Sequence, residues 1–496
     1  MIMYSDKWNL TSDTKLSKTG IAGKQYFFSE KLPDAARNIC HIYAPVEKCE
    51  ISFLNKHDYQ LSSFASTIVR TDDGKYRFYA TTYDAVFSWM RISIWESSDA
   101  FTWSPYVLGQ TEFGGPDSNF IKFSGLEGKQ DFVGQPQVVR LKDNRWRMYF
   151  WKHRDNHVRY ITAISKDGLK WEIEDINKPA LYHPGDEGFA AWAAGLTVNK
   201  ADQKTFSTTE ALERKRLCTN DATFVYYNSQ MDRFECYSVW LHGDVPARRV
   251  TVDNASSIQR VIHRRFSEDG LNWSNPELIL IPDSNDPWDL QFYFLAVQSH
   301  EDWMIGSLGH YRVEDKQQTM DIELCFSRDG QKWERPLRGA FIKRNTTDSN
   351  AMDSAGIYAT NAWIDIGNKW LCLYAGTPNA HNDSEHRIGV MGATFDKNRF
   401  VGLAAGKVPG GFMSNAFILN NNEIKIDADI RGQLTVELCD GFGNKLEGFN
   451  LKDSITLTGN GIHSLKWKEK DISTLRYQCF RLRFEYENGE IYNVQF

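Results

Sequence analysis

Four acidic residues stand where they could do acid–base chemistry: Asp221, Asp289, Asp353 and Glu187. Asp221, Asp289 and Asp353 each precede an apolar, aromatic-rich run that reads as a strand. Glu187 lies in Gly185-Asp186-Glu187-Gly188, inside a long polar excursion. Two carboxyl groups flanking one bond, one protonated and one ionised at working pH, can act on it as acid and base. Asp221 and Asp289 form the first pair, with Asp353 and Glu187 as reserve acids. A second set consists of hydrogen-bonding side chains. His153 with Arg154, His242, His310 and His381 each follow the second strand of a unit, although the chain holds only 12 His. Gln135 and Gln291 stand at the starts of innermost strands. Such groups would hold hydroxyls or an anionic group of a substrate, while Trp192 or Trp288 could stack on a ring face. A single Asp before a strand is more often a turn residue, and a single His more often packs or faces solvent. It is the shared register that gives these residues a common pocket to serve.

The register comes from a repeat. Ser97-Ser98-Asp99-Ala100-Phe101-Thr102-Trp103, Ser165-Lys166-Asp167-Gly168-Leu169-Lys170-Trp171, Ser267-Glu268-Asp269-Gly270-Leu271-Asn272-Trp273 and Ser327-Arg328-Asp329-Gly330-Gln331-Lys332-Trp333 share the pattern S-x-D-G-x-x-W, with Ala in the glycine's place in the first. Thr394-Phe395-Asp396-Lys397-Asn398-Arg399-Phe400 is a degenerate fifth copy. Ser and Asp cap nearby amides, Gly accepts a positive φ, and Trp opens the next strand. Their Asp residues are therefore structural. Before each turn comes an apolar run, a short turn, an aromatic-rich strand, a polar loop and a third strand. Four short strands per unit, repeated, predict an all-β fold: a five-bladed β-propeller over 62–410. From about Gly411 the repeat stops and alternating strands predict a C-terminal β-sandwich over 411–496. Residues 1–61 fit no unit, so an N-terminal extension that closes the ring or caps one face is expected.

Composition narrows the classes. The chain has 496 residues, with 58 basic and 64 acidic side chains and a net charge of −6, which argues against a nucleic-acid partner. No apolar stretch is long enough to span a membrane. The first residues lack the basic start and apolar run of a signal peptide, so a cytoplasmic setting is expected. Eight cysteines occur without a C-x-x-C pair, which points to free thiols, with no metal site and no cofactor expected.

Five units, the S-x-D-G-x-x-W turns and the trailing sandwich resemble the five-bladed glycosidase superfamily, which includes glycoside hydrolase families 32 and 43. The fructosidase motifs W-x-N-D-P-N and Arg-Asp-Pro are absent; Asn285-Asp286-Pro287 is a fragment, and Glu235-Cys236 falls on a second strand rather than an innermost one. The resemblance implies a glycoside hydrolase with a small carbohydrate as its substrate. Two other readings stand beside it, a phosphorylase like those of family 130 and a non-catalytic carbohydrate-binding propeller.

Overall fold

The computed structural model describes residues 23–55, 57–109, 117–126, 132–154, 157–176, 180–181, 216–218, 222–242, 259–314, 317–381, 383, 387–419, 421–476 and 478–496, with the side chains of 153–154, 157–159, 216–218, 241–242, 314 and 317 excepted. They build an all-β protein of two compact units. One unit spans Val46–Trp333 and Arg338–Thr394; the other gathers the chain up to Pro45, Glu334–Leu337 and Phe395–Phe496.

The larger unit is a succession of antiparallel meanders. The first runs Gln60–Arg70, Tyr76–Tyr83, Met90–Ser97 and Thr102–Pro105, with Ser52–Phe53 added at its outer edge. The second runs Val133–Arg140, Trp146–Arg154, His157–Ser165 and Trp171–Ile173. In the third, Phe224–Asn228 pairs with Arg233–His242, followed by Gln259–Ser267 and Glu277–Leu280. The fourth holds Gln291–His300, Trp303–Glu314 and Gln317–Ser327. The fifth holds Gly356–Asp365, Lys369–Thr377 and Gly389–Asp396, and its outer strand is Val46–Cys49 from the start of the unit. Each innermost strand packs against the next, and Gly356–Asp365 packs back on Gln60–Arg70, so their contacts close a cycle.

The repeated turn joins one meander to the next. In the third meander the Ser267 hydroxyl accepts the Gly270 amide at 2.9 Å, and Asp269 Oδ1 accepts the amides of Leu271 and Asn272, both at 2.8 Å. Gly270 sits at φ +72°, the left-handed region in which a side chain is strained. Its carbonyl, turned outward by that geometry, accepts the Tyr149 hydroxyl of the second meander at 2.7 Å. Arg147 donates to the Asp269 carbonyl at 2.5 Å and is itself held by Glu174 at 2.8 Å. The first meander grips the second in the same way: Tyr79 reaches the Gly168 carbonyl at 2.8 Å and Arg77 the Asp167 carbonyl at 2.9 Å. Between the third and fourth meanders Arg264 supplies the cation, 2.7 Å from the Asp329 carbonyl. The turn tryptophans pack edge-on against those tyrosines, Trp171 on Tyr79, Trp273 on Tyr149 and Trp333 on Tyr237. Burial pushes the Tyr79 hydroxyl up to about 12, so it remains a donor at any physiological pH.

Glu235 belongs to this scaffold. It is fully buried and accepts from Asn228, Arg233 and Tyr237.

In the smaller unit the long strand Cys479–Gln495 is central. It pairs with Lys425–Asp440 along most of its length, and with Lys24–Tyr26, Val401–Ala405, Gly410–Met413 and Phe417–Ile418. Their inward residues form one apolar core that includes Leu403, Phe412, Val436, Leu438, Phe484 and Trp467. This unit takes in Phe395–Ala405, so the division falls earlier in the chain than the change in sequence pattern at 411. Among the described residues no helix is long and apolar enough to cross a membrane, and no group of three or more His, Cys, Asp or Glu is placed to hold a metal ion.

A methyl group on Gly270 would lie 2.4 Å from the Tyr149 hydroxyl and 2.9 Å from Arg147 Nη1. Gly270→Ala is therefore expected to lower unfolding free energy in urea by about 2–4 kcal/mol, combining left-handed strain with the loss of buried hydrogen bonds. A change below about 0.5 kcal/mol would remove the turn from its joining role. Asp269 gives a second test. Burial opposes its charge, but the amides of Asn272 and Leu271 outweigh it and hold the carboxyl well below the usual carboxylate range. A depressed folded-state pKa adds stability that is present above the unfolded value of about 4 and is lost as pH falls below it. The stability difference between the wild type and Asp269→Asn should accordingly be larger at pH 7 than at pH 3.

Candidate functional site

Irregularities in the innermost strands open the site. Register shifts fall between Ser62 and Thr67, Gly134 and Gln137, Phe292 and Leu295, and Ala359 and Trp363. A bulge inserts residues that the neighbouring strand cannot pair and re-aims their side chains. Phe64, Gln135 and Tyr293 lie within three of these shifts. All three line one cavity of about 310 Å³.

The floor of this cavity is aromatic. The Phe64 ring lies 5.2 Å from Tyr358 and 6.1 Å from Tyr293, and also contacts Phe224 and Phe294. The wall is polar. His381 packs edge-on against Tyr293 at 4.8 Å, and its Nδ1 shares a hydrogen bond of 2.9 Å with the Tyr358 hydroxyl. The His381 amide donates to the Gln318 carbonyl at 2.9 Å, so a loop of the fifth meander leans on a hairpin of the fourth. Thr377, Asn379 and Arg387 also line the cavity there, and Tyr83 and Phe87 of the first meander line the part joined to it through Gln60. Gln60 ties the two parts together: its Oε1 accepts the Ile388 amide at 2.9 Å and its Nε2 donates to the Ala85 carbonyl at 3.4 Å.

Of the residues singled out in the sequence, the cavity brings together Gln135 and His381. Gln135 sits at φ +52°; its amide donates to Thr81 and its Oε1 accepts the Ala222 amide at 3.2 Å. That bond ties the inner strands of the second and third meanders. Gln291, His310, Asp289 and Asp353 are buried and do not line the cavity. Gln291 Oε1 accepts the Arg260 amide at 3.0 Å. His310 pairs with Asp321 in the hairpin ladder.

Each of the two described acids already has a cation. Asp289 is 4% exposed, receives Arg312 Nε at 2.9 Å and Nη2 at 2.8 Å, and accepts the Val313 amide at 3.0 Å. Asp353 is 1% exposed, with Lys48 Nζ at 2.5 Å and the Tyr374 hydroxyl at 3.0 Å on the same oxygen. Burial and the Asp353 carboxylate push the Tyr374 hydroxyl well above its ordinary value. Lys48 comes from the strand that completes the fifth meander, so this ion pair fastens the ends of the larger unit. Among the described residues no carboxylate lines the cavity. Asp221, Glu187 and Trp192 lie outside the described residues, as do the side chains of His153, Arg154 and His242; Trp288 is exposed.

Sequence reasoning missed Phe64, Tyr293, Tyr358, Asn379 and Arg387. Tyr293 and Tyr358 follow the strand-start residues Gln291 and Asp353 closely, which is a weak signal. Phe64 and Tyr293 depend on bulges, which leave no mark in the residue pattern.

No family model and no curated protein matches the chain. Solved structures similar to it include a glycoside hydrolase at 13% identity, covering 74% of this chain and 92% of that one with a TM-score of 0.45. A thermostable family-43 glycoside hydrolase is similar at 12% identity, with 71% and 91% covered and a TM-score of 0.40. An N-acetylgalactosamine deacetylase from F. plautii, solved with blood group B trisaccharide, is similar at 14% identity, with 73% and 96% covered and a TM-score of 0.42.

Removing one member of a buried ion pair leaves the other uncompensated. Arg312→Met should therefore cost about 3 kcal/mol in urea unfolding, and Asp289→Asn in the same background should recover part of it. If Arg312→Met unfolds like the wild type, Asp289 is not structural.

Proposed function

We propose that the cavity between the innermost strands binds a carbohydrate, and that the chain is a glycoside hydrolase built as a five-bladed β-propeller followed by a C-terminal β-sandwich. The observation that carries this reading is the cavity's composition. Phe64, Tyr293 and Tyr358 offer apolar faces for the C–H side of a sugar ring, and Gln135, Asn379 and His381 offer donors and acceptors for its hydroxyls. At about 310 Å³ it suits one small glycoside rather than a polymer.

Hydrolysis would need two carboxyl groups at the cavity. With Asp289 and Asp353 each engaged by a cation, the pair falls to Asp221 and Glu187. Asp221 is joined directly to Ala222, whose amide donates to the cavity residue Gln135. One of the two would protonate the leaving oxygen, and the other would attack the anomeric carbon or activate water. His381, held by Tyr358, would orient a hydroxyl next to the scissile bond.

A panel of nitrophenyl glycosides should include one that is turned over. On that glycoside Asp221→Asn should lower kcat by at least about 10²-fold with Tm unchanged. Near-normal kcat in Asp221→Asn would sink its catalytic role. A second reading, a non-catalytic carbohydrate-binding propeller, is favoured by the lining itself, which among the described residues holds no carboxylate. It predicts binding without turnover, and binding unaltered by Asp221→Asn. Turnover that requires inorganic phosphate would instead mark a phosphorylase.

A further inference from the structure

The chain is acidic overall, with a net charge of −6, yet the described lining of the cavity carries one guanidinium and no carboxylate. That guanidinium belongs to Arg387, and its backbone is fixed from two sides. The Arg387 amide donates to Asn379 Oδ1 at 3.1 Å, and the Asn379 amide donates to Thr377 Oγ1 at 3.1 Å. The next residue, Ile388, donates its amide to Gln60 Oε1 at 2.9 Å. The backbone at Arg387 is therefore fixed at the edge of the cavity, with its long side chain exposed. His381 and Asn379 come from the same loop and line the same wall. The aromatic lining residues carry no charge themselves, although the buried Arg260 guanidinium lies 4.9 Å from the Tyr293 ring centroid. A ring seated on Tyr293 and Tyr358 would thus present one edge to a planar cation and two further polar side chains.

Planar bidentate recognition is what distinguishes arginine from lysine, and a carboxylate is its natural complement. We infer that the cavity selects a hexuronide, a sugar ring whose carboxylate is held by Arg387 with Asn379 and His381 alongside. This deepens, and rests on, the reading of the cavity as a carbohydrate site. Arg387 would act as a specificity-determining residue and take no part in bond cleavage.

The test compares matched ligands by calorimetry on the full chain: the methyl glycosides of glucuronic and galacturonic acid against those of glucose and galactose. At least one uronide should bind at least about 10-fold more tightly than its neutral counterpart, the worth of one charge-assisted contact. Arg387→Gln should erase that difference, and Arg387→Lys should restore only part of it. Arg387 is exposed, so Tm should stay at the wild-type value in both variants. Equal binding of uronide and neutral glycoside would overturn the inference and leave the carbohydrate reading standing. Binding of none of the four would overturn that reading as well. Inorganic phosphate binding as tightly as the uronide and displacing it, or a sulfated hexoside binding more tightly, would also overturn it, because the cation would then serve a different anion.

Discussion

The structure depends on a backbone carbonyl that one meander offers and its neighbour captures. In each good copy of the turn, a serine hydroxyl and an aspartate oxygen gather the local amides and leave the glycine carbonyl pointing outward. At the Asp167–Gly168 and Asp269–Gly270 turns a buried tyrosine and a salt-bridged arginine from the preceding meander take up the two adjacent carbonyls, and at Asp329–Gly330 Arg264 takes the first while Trp333 takes the second. Buried, these bonds are hard to replace, because an orphaned donor would lose its water as well. The turn tryptophan covers the joint. Glycine is required by the φ angle and again by space, since the captured tyrosine leaves no room for a Cβ at Gly270 or Gly168.

With the outer joints fixed, the inner ends of the meanders are free to depart from regular pairing. The register shifts in the innermost strands are where they do so. Each shift gives up ladder hydrogen bonds, and side chains such as Gln137 make up part of the loss by bridging to the neighbouring strands at Ala65 and Val225. The result is a cavity whose aromatic floor is held by packing and whose polar wall is fixed by hydrogen bonds at Asn379, His381 and Arg387.

The two ion pairs show how residue type and residue role come apart. Asp289 and Asp353 occupy the strand-start register that makes an acid look catalytic. Each is nonetheless engaged by a cation from another strand, Arg312 from the adjacent one and Lys48 from the far end of the unit. In the second case the partner is 305 positions away in sequence. No local pattern contains that information.

The sequence by itself determined the all-β class, the repeat with its turn chemistry and the structural duty of the turn aspartates. These follow from short-range rules: which side chains cap which amides, and where glycine must stand. It also carried His381 and Gln135 into the cavity, because their positions repeat with the meander. The tertiary structure alone decided which acids are held by cations, that Phe64, Tyr293 and Tyr358 form the floor, and that Arg387 stands at the edge of the cavity. Those outcomes depend on bulges, which insert one to three residues without altering the composition around them, and on contacts between residues hundreds of positions apart. Both are set by how the strands close on one another, a constraint that no window of sequence contains.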